Sequence, residues 1–146
     1  SLSGRENLEY FSEIAGVKVA AERADELARR VGLQSGVLEK AVSTYSKGMR
    51  QKVGIAIALA KGARALIMDE PLSGLDPRAA NEFTDLLRDV AEGGVAALMA
   101  THDVFRAKEI GSHIGIMKQG RLVDYFPTGD KAHADIENLY LQHMHD

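Results

Sequence analysis

Cysteine is absent from this 146-residue sequence, and no apolar stretch approaches the roughly eighteen residues that span a bilayer. Without cysteine the chain has no disulfide framework and no thiolate for metal binding or nucleophilic attack. No signal-peptide pattern opens the sequence. A net charge of −3 gives no electrostatic argument for a nucleic-acid partner. We therefore expect a soluble domain of the intracellular type, and any membrane role would be exercised through a partner.

The stretch ALIMDEPLSGLDP, residues 65–77, begins with an apolar run of four residues. This run ends in two adjacent carboxylates, and a proline follows them. A strand that is apolar at every position is predicted to be buried on both faces, as in a parallel sheet covered by helices. Asp69 and Glu70 would then lie at the carboxyl end of the strand, where open α/β sheets bind ligands. The first could hold Mg²⁺, and the second could orient or deprotonate a water. A buried strand that ends at a polar turn remains the alternative.

The segment before this run, residues 5–40, has helical spacing throughout. One helix is predicted to end at Gly16 and a second to run over residues 20–31 and end at Gly32. Two apolar faces are expected to pack inward, with these members: Leu8, Tyr10, Phe11 and Ile14 on the first helix, and Ala24, Leu27, Ala28 and Val31 on the second. This part reads as a small helical subdomain that is mainly structural.

Residues 47–60 are predicted to form a helix, and Ser46 is a suitable N-cap for it. Lys47 and Gly48 follow the cap, so a hydroxyl, a cation and a backbone position without a side chain meet at the helix start. Together with the free N–H groups of a first helical turn, this combination suits a phosphate. An ordinary capped helix explains the same local pattern.

Strands and helices alternate in the rest of the chain, which favours βαβ units on a mostly parallel sheet. Residues 95–100 are predicted to form a second buried strand, which ends just before His102. If this strand runs beside the one that ends at Asp69, His102 faces the same crevice and could contact a terminal phosphate and its attacking water. Residues 114–118 and 121–124 read as a hairpin that closes the edge of the sheet.

Four motifs in order carry a resemblance to the ATP-binding cassette (ABC) ATPases. YSKGM followed by RQKVGIAIALA resembles their signature motif and helix, LIMDEP their Walker B motif, SGLD their D-loop and THD their H-loop. The YSKGM form and the opening RENLEYF are most similar to ATPase subunits of the exporter group whose permeases are separate proteins, the ABC-2-type group. The implied fold is α/β, that of a P-loop NTPase-like ABC ATPase domain.

The resemblance implies a role for each matching residue. Asp69 would hold Mg²⁺, through water, and Glu70 would be the general base for hydrolysis of ATP. His102 would contact the γ-phosphate. Ser46 and Gly48 would bind the γ-phosphate of ATP held by the opposite subunit of a head-to-tail dimer, and Asp76 would communicate across that dimer. ATP and Mg²⁺ are the implied cofactors. The implied partners are a second ATPase subunit and an integral-membrane permease, which would place the protein on the cytoplasmic side of the membrane.

Lys47 and Met49 depart from the commonest signature motif, which has a second glycine and a glutamine there. A larger departure is that the phosphate-binding loop G-x-x-x-x-G-K-[ST] occurs nowhere in the sequence. We therefore expect an incomplete ABC domain: a helical subdomain over residues 3–44, then the signature helix and carboxyl-terminal half of the sheet core over residues 45–146. Such a chain is predicted to be inactive by itself and to self-associate.

Two other functions remain open. One is a non-transport ABC ATPase, which the acidic balance and the lack of a basic stripe disfavour. The other is a short, non-catalytic module that keeps the signature face and docks on a complete ATPase. The transported substrate is not encoded in any pattern of the sequence.

Overall fold

The computed structural model describes residues 2–145, except for the side chain of His145. The described residues form six α-helices, one 3-10 helix and four strands. They belong to two compact units, of which one ends at Met99 and the other begins at Ala100. Residue 146, the end of the second predicted domain, lies outside the described residues. The predicted domain boundary between residues 44 and 45 stays a prediction.

Helix α1, Gly4–Ile14, begins at a capping box. The Ser3 hydroxyl accepts a hydrogen bond from the Glu6 N–H, and the Glu6 carboxylate accepts one from the Ser3 N–H at 2.7 Å. Its buried stripe runs at intervals of four residues, over Gly4, Leu8 and Ser12. The predicted apolar face is therefore wrong in part, because the helix is rotated toward this stripe. Leu8 is buried, whereas three other members of that face are exposed: Tyr10, Phe11 and Ile14.

Helix α2, Ala21–Arg30, packs as the sequence predicts. Its apolar face is buried, with Ala24 and Leu27 fully so. The guanidinium of Arg5 ties α1 to α2, since its Nη2 lies 2.6 Å from Oδ1 of Asp25 and 2.7 Å from Oε1 of Glu39. These two carboxylates, through their hydrogen bonds, raise the pKa of Arg5 above its already high ordinary value.

Helix α3, Lys47–Ala60, has the predicted bounds and follows a 3-10 helix at Val42–Thr44. Strand β1, Ala65–Asp69, leads through helix α4, Pro77–Glu92, to strand β2, Ala96–Ala100. The two strands are neighbours in one sheet, as expected for a βαβ unit. The buried face of α4 includes Phe83, Leu86, Leu87 and Val90.

Neither β1 nor β2 is buried on both faces, so that prediction is wrong. In β1 only Leu66 is buried, and Ile67, which points to the opposite face, is 83% exposed. In β2, Leu98 is 66% exposed. The apolar runs provide side chains for two faces, but in the described part of the chain no element covers the second face.

The second unit contains helix α5, Val104–Ile110, strands β3, His113–Lys118, and β4, Arg121–Pro127, and helix α6, His133–His145. β3 and β4 form the predicted antiparallel hairpin, with Ile114 opposite Phe126. The hairpin is, however, a two-stranded sheet separate from the β1–β2 pair, so its predicted place at the edge of a common sheet is wrong. The core of the second unit joins the hairpin residues Ile116 and Phe126 to Ile136 on α6.

Candidate functional site

Asp69 is the last residue of β1, and its carboxylate is exposed to solvent. Glu70 follows with a φ of 45°, in the left-handed region that a side chain with a Cβ atom seldom occupies. Pro71 is buried directly after it and ends the strand. Backbone strain of this kind is concentrated at functional sites, where the surrounding structure holds it in place. The two carboxylates thus stand at the end of the strand, as the sequence predicts.

The chain turns tightly between Glu70 and α4. The N–H of Ser73 donates to the Glu70 carbonyl, and the N–H of Leu75 donates to the Leu72 carbonyl, both at 3.2 Å. Asp76 is the N-cap of α4, where its Oδ1 accepts a hydrogen bond from the Ala79 N–H at 2.9 Å. The aspartate at the end of the SGLD motif therefore has a structural function in this chain, that of fixing the start of α4.

Ser46 is the N-cap of α3, as predicted, because its Oγ accepts a hydrogen bond from the Met49 N–H at 3.2 Å. The hydroxyl proton can still be donated to a ligand. The N–H groups of Lys47 and Gly48 belong to the first turn, which has no intrahelical acceptors for them. Ser46 and Lys47 are exposed and Gly48 is buried. This helix start has the hydrogen-bond donors that an anion requires.

Tyr45, the first residue of the YSKGM stretch, anchors the chain just before Ser46. Its side chain is 3% exposed, and its hydroxyl donates to the Val37 carbonyl at 2.5 Å. Burial raises the pKa of this hydroxyl above its ordinary value. A Cβ atom on Gly4 would lie 2.2 Å from the same hydroxyl. The tyrosine therefore packs between α1 and the chain before α3, and it holds the cap residue in place.

His102 lies in the second unit, two residues beyond the end of β2, and is exposed. The motif around it forms a turn into α5. The hydroxyl Oγ1 of Thr101 accepts from the Asp103 N–H at 3.1 Å, and Oδ1 of Asp103 accepts from the Arg106 N–H at 3.0 Å. The predicted pairing of the two strands is confirmed. The approach of His102 to the carboxylates of the first unit stays a prediction.

Contacts between α3 and the turn after β1 were not predicted from the sequence. The ammonium group of Lys47 donates to the backbone carbonyl of Ser73, and the Gln51 amide Nε2 donates to that of Pro71. Lys47 and Gln51 are four residues apart on a helix and thus share a face, which is the one signal that the sequence offers for this pair. The carbonyls that accept these bonds leave no mark in a sequence.

A comparison with protein-family models matches residues 13–105 to the model described as "AAA domain, putative AbiEii toxin, Type IV TA system". This match covers well over half of the chain.

Curated relatives are ATP-binding proteins of transporters. The chain is 42% identical to the uncharacterized ABC transporter ATP-binding protein YdbJ of Bacillus subtilis, over 83% of this chain and 39% of that protein. It is 36% identical to the methionine import ATP-binding protein MetN 2 of Bacillus thuringiensis, over 97% of this chain and 43% of that protein. It is also 36% identical to the daunorubicin resistance ATP-binding protein DrrA3 of Streptomyces coeruleorubidus, over 84% of this chain and 39% of that protein. The chain thus spans about two fifths of the length of these relatives.

Solved structures share the fold. The cbiO1 protein of Clostridium perfringens, part of the ABC transporter complex cbiONQ, superposes with a TM-score of 0.78 at 23% identity, over 99% of this chain and 57% of that one. The ATP-binding cassette MJ0796, seen as a dimer bound to ADP and Pi, gives a TM-score of 0.72 at 26% identity, over 87% of this chain and 57% of that one. The matched family model, the relatives and the common fold together show that the chain belongs to the ABC ATPases, the family of ABC transporter ATP-binding proteins.

Proposed function

We propose that this chain is the signature-motif and Walker B part of an ATP-hydrolysing subunit that energises a membrane permease. The observation that carries this function is the arrangement within the first unit. A helix start with phosphate-binding donors at Ser46 and a strand end with paired carboxylates at Asp69 and Glu70 are joined by direct hydrogen bonds between α3 and the turn at Pro71 and Ser73.

Each site residue has a role in this proposal. Glu70 takes a proton from the water that attacks the γ-phosphate, and the left-handed backbone fixes where its carboxylate is presented. Ser46 and Gly48 donate to the γ-phosphate of ATP held by a second subunit. His102 contacts the same γ-phosphate, the one attacked by the water that Glu70 deprotonates. Asp76 uses Oδ1 as a helix cap, which leaves Oδ2 for a contact across the dimer.

The residues present fit a Mg²⁺ ion bound together with ATP. Among the described residues, no group of three histidine, cysteine, aspartate or glutamate side chains could hold a metal by itself. Mg²⁺ does not require one, because it binds to one or two carboxylates, several waters and the phosphates of its nucleotide. The exposed carboxylate of Asp69 at the strand end is such a ligand, directly or through water. The ion would neutralise charge on the transferred phosphoryl group.

Substitution of the proposed base tests this function. The assay needs the completed domain, meaning this chain together with the phosphate-binding loop region that it does not contain. Glu70→Gln should lower ATP turnover by about a hundredfold or more, while ATP still drives dimer formation, because only the proton acceptor is lost. Glu92→Gln, an exposed position at the end of α4, is the matched control and should keep full turnover. Retained turnover in Glu70→Gln would remove Glu70 from this role. The unmodified 146-residue chain should not hydrolyse ATP.

Export is the direction that we propose, on the resemblance of the signature stretch to exporter subunits. The relatives include both a methionine import protein and a daunorubicin resistance protein, so these two compounds serve as probes. ATP-driven accumulation of daunorubicin in inside-out membrane vesicles that carry the complete transporter would support export. ATP-driven methionine uptake by intact cells would contradict it. No helix among the described residues is long and apolar enough to cross a membrane.

On the resemblance to transporter subunits, we propose that the chain lies on the cytoplasmic face, bound to the permease.

A further inference from the structure

Two side chains of α3 reach the turn that connects the paired carboxylates to α4. The Nζ of Lys47 donates to the carbonyl of Ser73, and the Nε2 of Gln51 donates to the carbonyl of Pro71. Both acceptors are backbone carbonyls within the five residues between Glu70 and Asp76. The two donors are one helical turn apart and lie on the same face of α3. They therefore bind the turn at two positions, Ser73 and Pro71.

A third contact lies just beyond this turn. The Nζ of Lys52 is 3.0 Å from Oε2 of Glu82 on α4, and the Lys52 side chain is 13% exposed. The hydrogen bond from Lys52, with a second from Arg78, lowers the pKa of Glu82. A Cβ atom on Gly48 would lie only 3.7 Å from Cδ2 of Leu75, so the first turn of α3 packs directly on the turn before α4.

Lys47 stands at a position where the commonest signature motif has a glycine, which has no side chain to make such a contact. A lysine at a helix start could serve as a phosphate ligand, as a point charge. Here its ammonium group is instead directed to the Ser73 carbonyl. The lysine that replaces the glycine of the commonest motif therefore makes a contact within the same chain, which a glycine could not make.

We propose that Lys47 and Gln51 are positioning residues that hold the segment between Glu70 and Asp76 against the signature helix. Gln51 holds it at Pro71, and Lys47 holds it at Ser73, the first residue of the D-loop (residues 73–76). With both contacts made, a phosphate that binds at Ser46 and the segment from Glu70 to Asp76 cannot move independently of each other. Occupation of the signature motif is then transmitted to the carboxylates through α3 itself. This role in turnover rests on the proposed function, whereas the contacts themselves can be tested without it.

Amide hydrogen exchange in the 146-residue chain tests the contact. The N–H groups of Ser73 and Leu75 are hydrogen-bonded within the turn, so they report on its opening. Lys47→Met should make both exchange about fivefold faster, since one hydrogen bond that holds the turn is lost. Lys47→Arg should restore slow exchange because it keeps a cationic donor. Lys61→Met, an exposed lysine at the other end of α3, is the matched control. Unchanged exchange in both Lys47→Met and Gln51→Met would overturn the proposal.

Steady-state kinetics of the completed domain test the consequence. Lys47→Met should lower kcat about threefold to tenfold with the KM for ATP within twofold of the unmodified protein, because nucleotide contacts are kept and only the D-loop is loosened. A raised KM with unchanged kcat would make Lys47 a nucleotide ligand and overturn the positioning role. If the unmodified completed domain itself does not turn over ATP, the proposed function fails, and the exchange result still decides whether the D-loop is held.

Discussion

At the scale of single residues, two residues have a backbone conformation that is unusual for a residue with a side chain. Glu70 and Gln119 are the described non-glycine residues with positive φ, at 45° and 49°. Each such residue costs about 1 kcal/mol or more relative to a glycine in the same conformation. Gln119 lies in the β3–β4 turn before Gly120, where two successive positive φ values produce the type of turn that connects twisted hairpins. Glu70 lies in no hairpin turn, and its backbone conformation is consistent with the proposed catalytic role.

Substitutions that relieve the positive φ should raise the stability of the chain at both positions. Only the substitution at Glu70 should change activity. Gln119→Asn should raise the free energy of unfolding by about 0.5 kcal/mol, because asparagine tolerates this backbone region better. Glu70→Gly should raise it by up to about 1 kcal/mol for the same reason and should abolish ATP turnover in the completed domain. Urea denaturation measures both changes. A loss of stability in Glu70→Gly would show that contacts of the Glu70 side chain outweigh the backbone strain.

At the scale of elements, helix starts determine how the site is built. Ser46, Asp76 and Asp103 each cap a helix with a side-chain oxygen. Two of the three are residues to which the family resemblance assigns contacts with nucleotide or partner. The caps come first in physical terms, because they fix the backbone from which any such contact is made.

Replacing Asp76 separates its two roles. Asp76→Ala should destabilise the chain by about 1 kcal/mol, since the Ala79 N–H loses its acceptor. Asp76→Asn keeps a capping oxygen and should leave stability nearly unchanged, while the loss of charge should lower turnover in the completed domain. Thermal unfolding and phosphate release are the two measurements. Equal stability losses in both variants would mean that charge, not capping, is what Asp76 contributes to the fold.

The ion pair between α3 and α4 predicts an acid dependence. The pKa of Glu82 is lowered from its ordinary value of 4.5, chiefly by its hydrogen bond from Lys52. Its contribution is therefore present above that value and is lost as the pH falls through the lower folded pKa. Glu82→Gln should be less stable than the unmodified chain at pH 7, by less than about 1 kcal/mol because the carboxylate is half exposed. This difference should shrink in denaturant titrations as the pH falls below 4.5 and through the lowered pKa of Glu82, and a constant difference would contradict it.

Elements were predictable where the signal is local. The bounds of α3, its N-cap at Ser46 and the hairpin follow from caps and apolar spacing in the sequence. The burial of β1 was not predictable in this way. Leu66 and Ile67 are equally apolar, and which of them is covered depends on elements distant in sequence. The contacts of Lys47 and Gln51 were missed because their acceptors are backbone carbonyls.

At the scale of the whole molecule, apolar side chains of the sheet remain in contact with water. Ile67 on β1 and Leu98 on β2 are both largely exposed. Two-stranded sheets with an apolar face are marginal in water unless something packs on them. Such a surface favours association with another chain.

The 146-residue chain should therefore self-associate as its concentration rises. Light scattering should show a mass above that of the monomer at high concentration. Ile67→Lys, with or without Leu98→Lys, should shift the distribution to monomer, because a charge on the exposed face opposes stacking. Lys substitution at Leu122, an exposed residue of the β3–β4 hairpin, is the matched control. A purely monomeric unmodified chain would contradict this expectation.

The second unit rests on a core of three side chains, Ile116, Phe126 and Ile136. Because this core is small, we expect the region from Ala100 onward to open more readily than the helical core of the first unit. A protease should then cut first around the Gln119–Gly120 turn and leave the first unit intact. If the second unit opens in this way, we predict that a bound nucleotide or partner would slow cleavage of the region around His102 more than cleavage of the first unit.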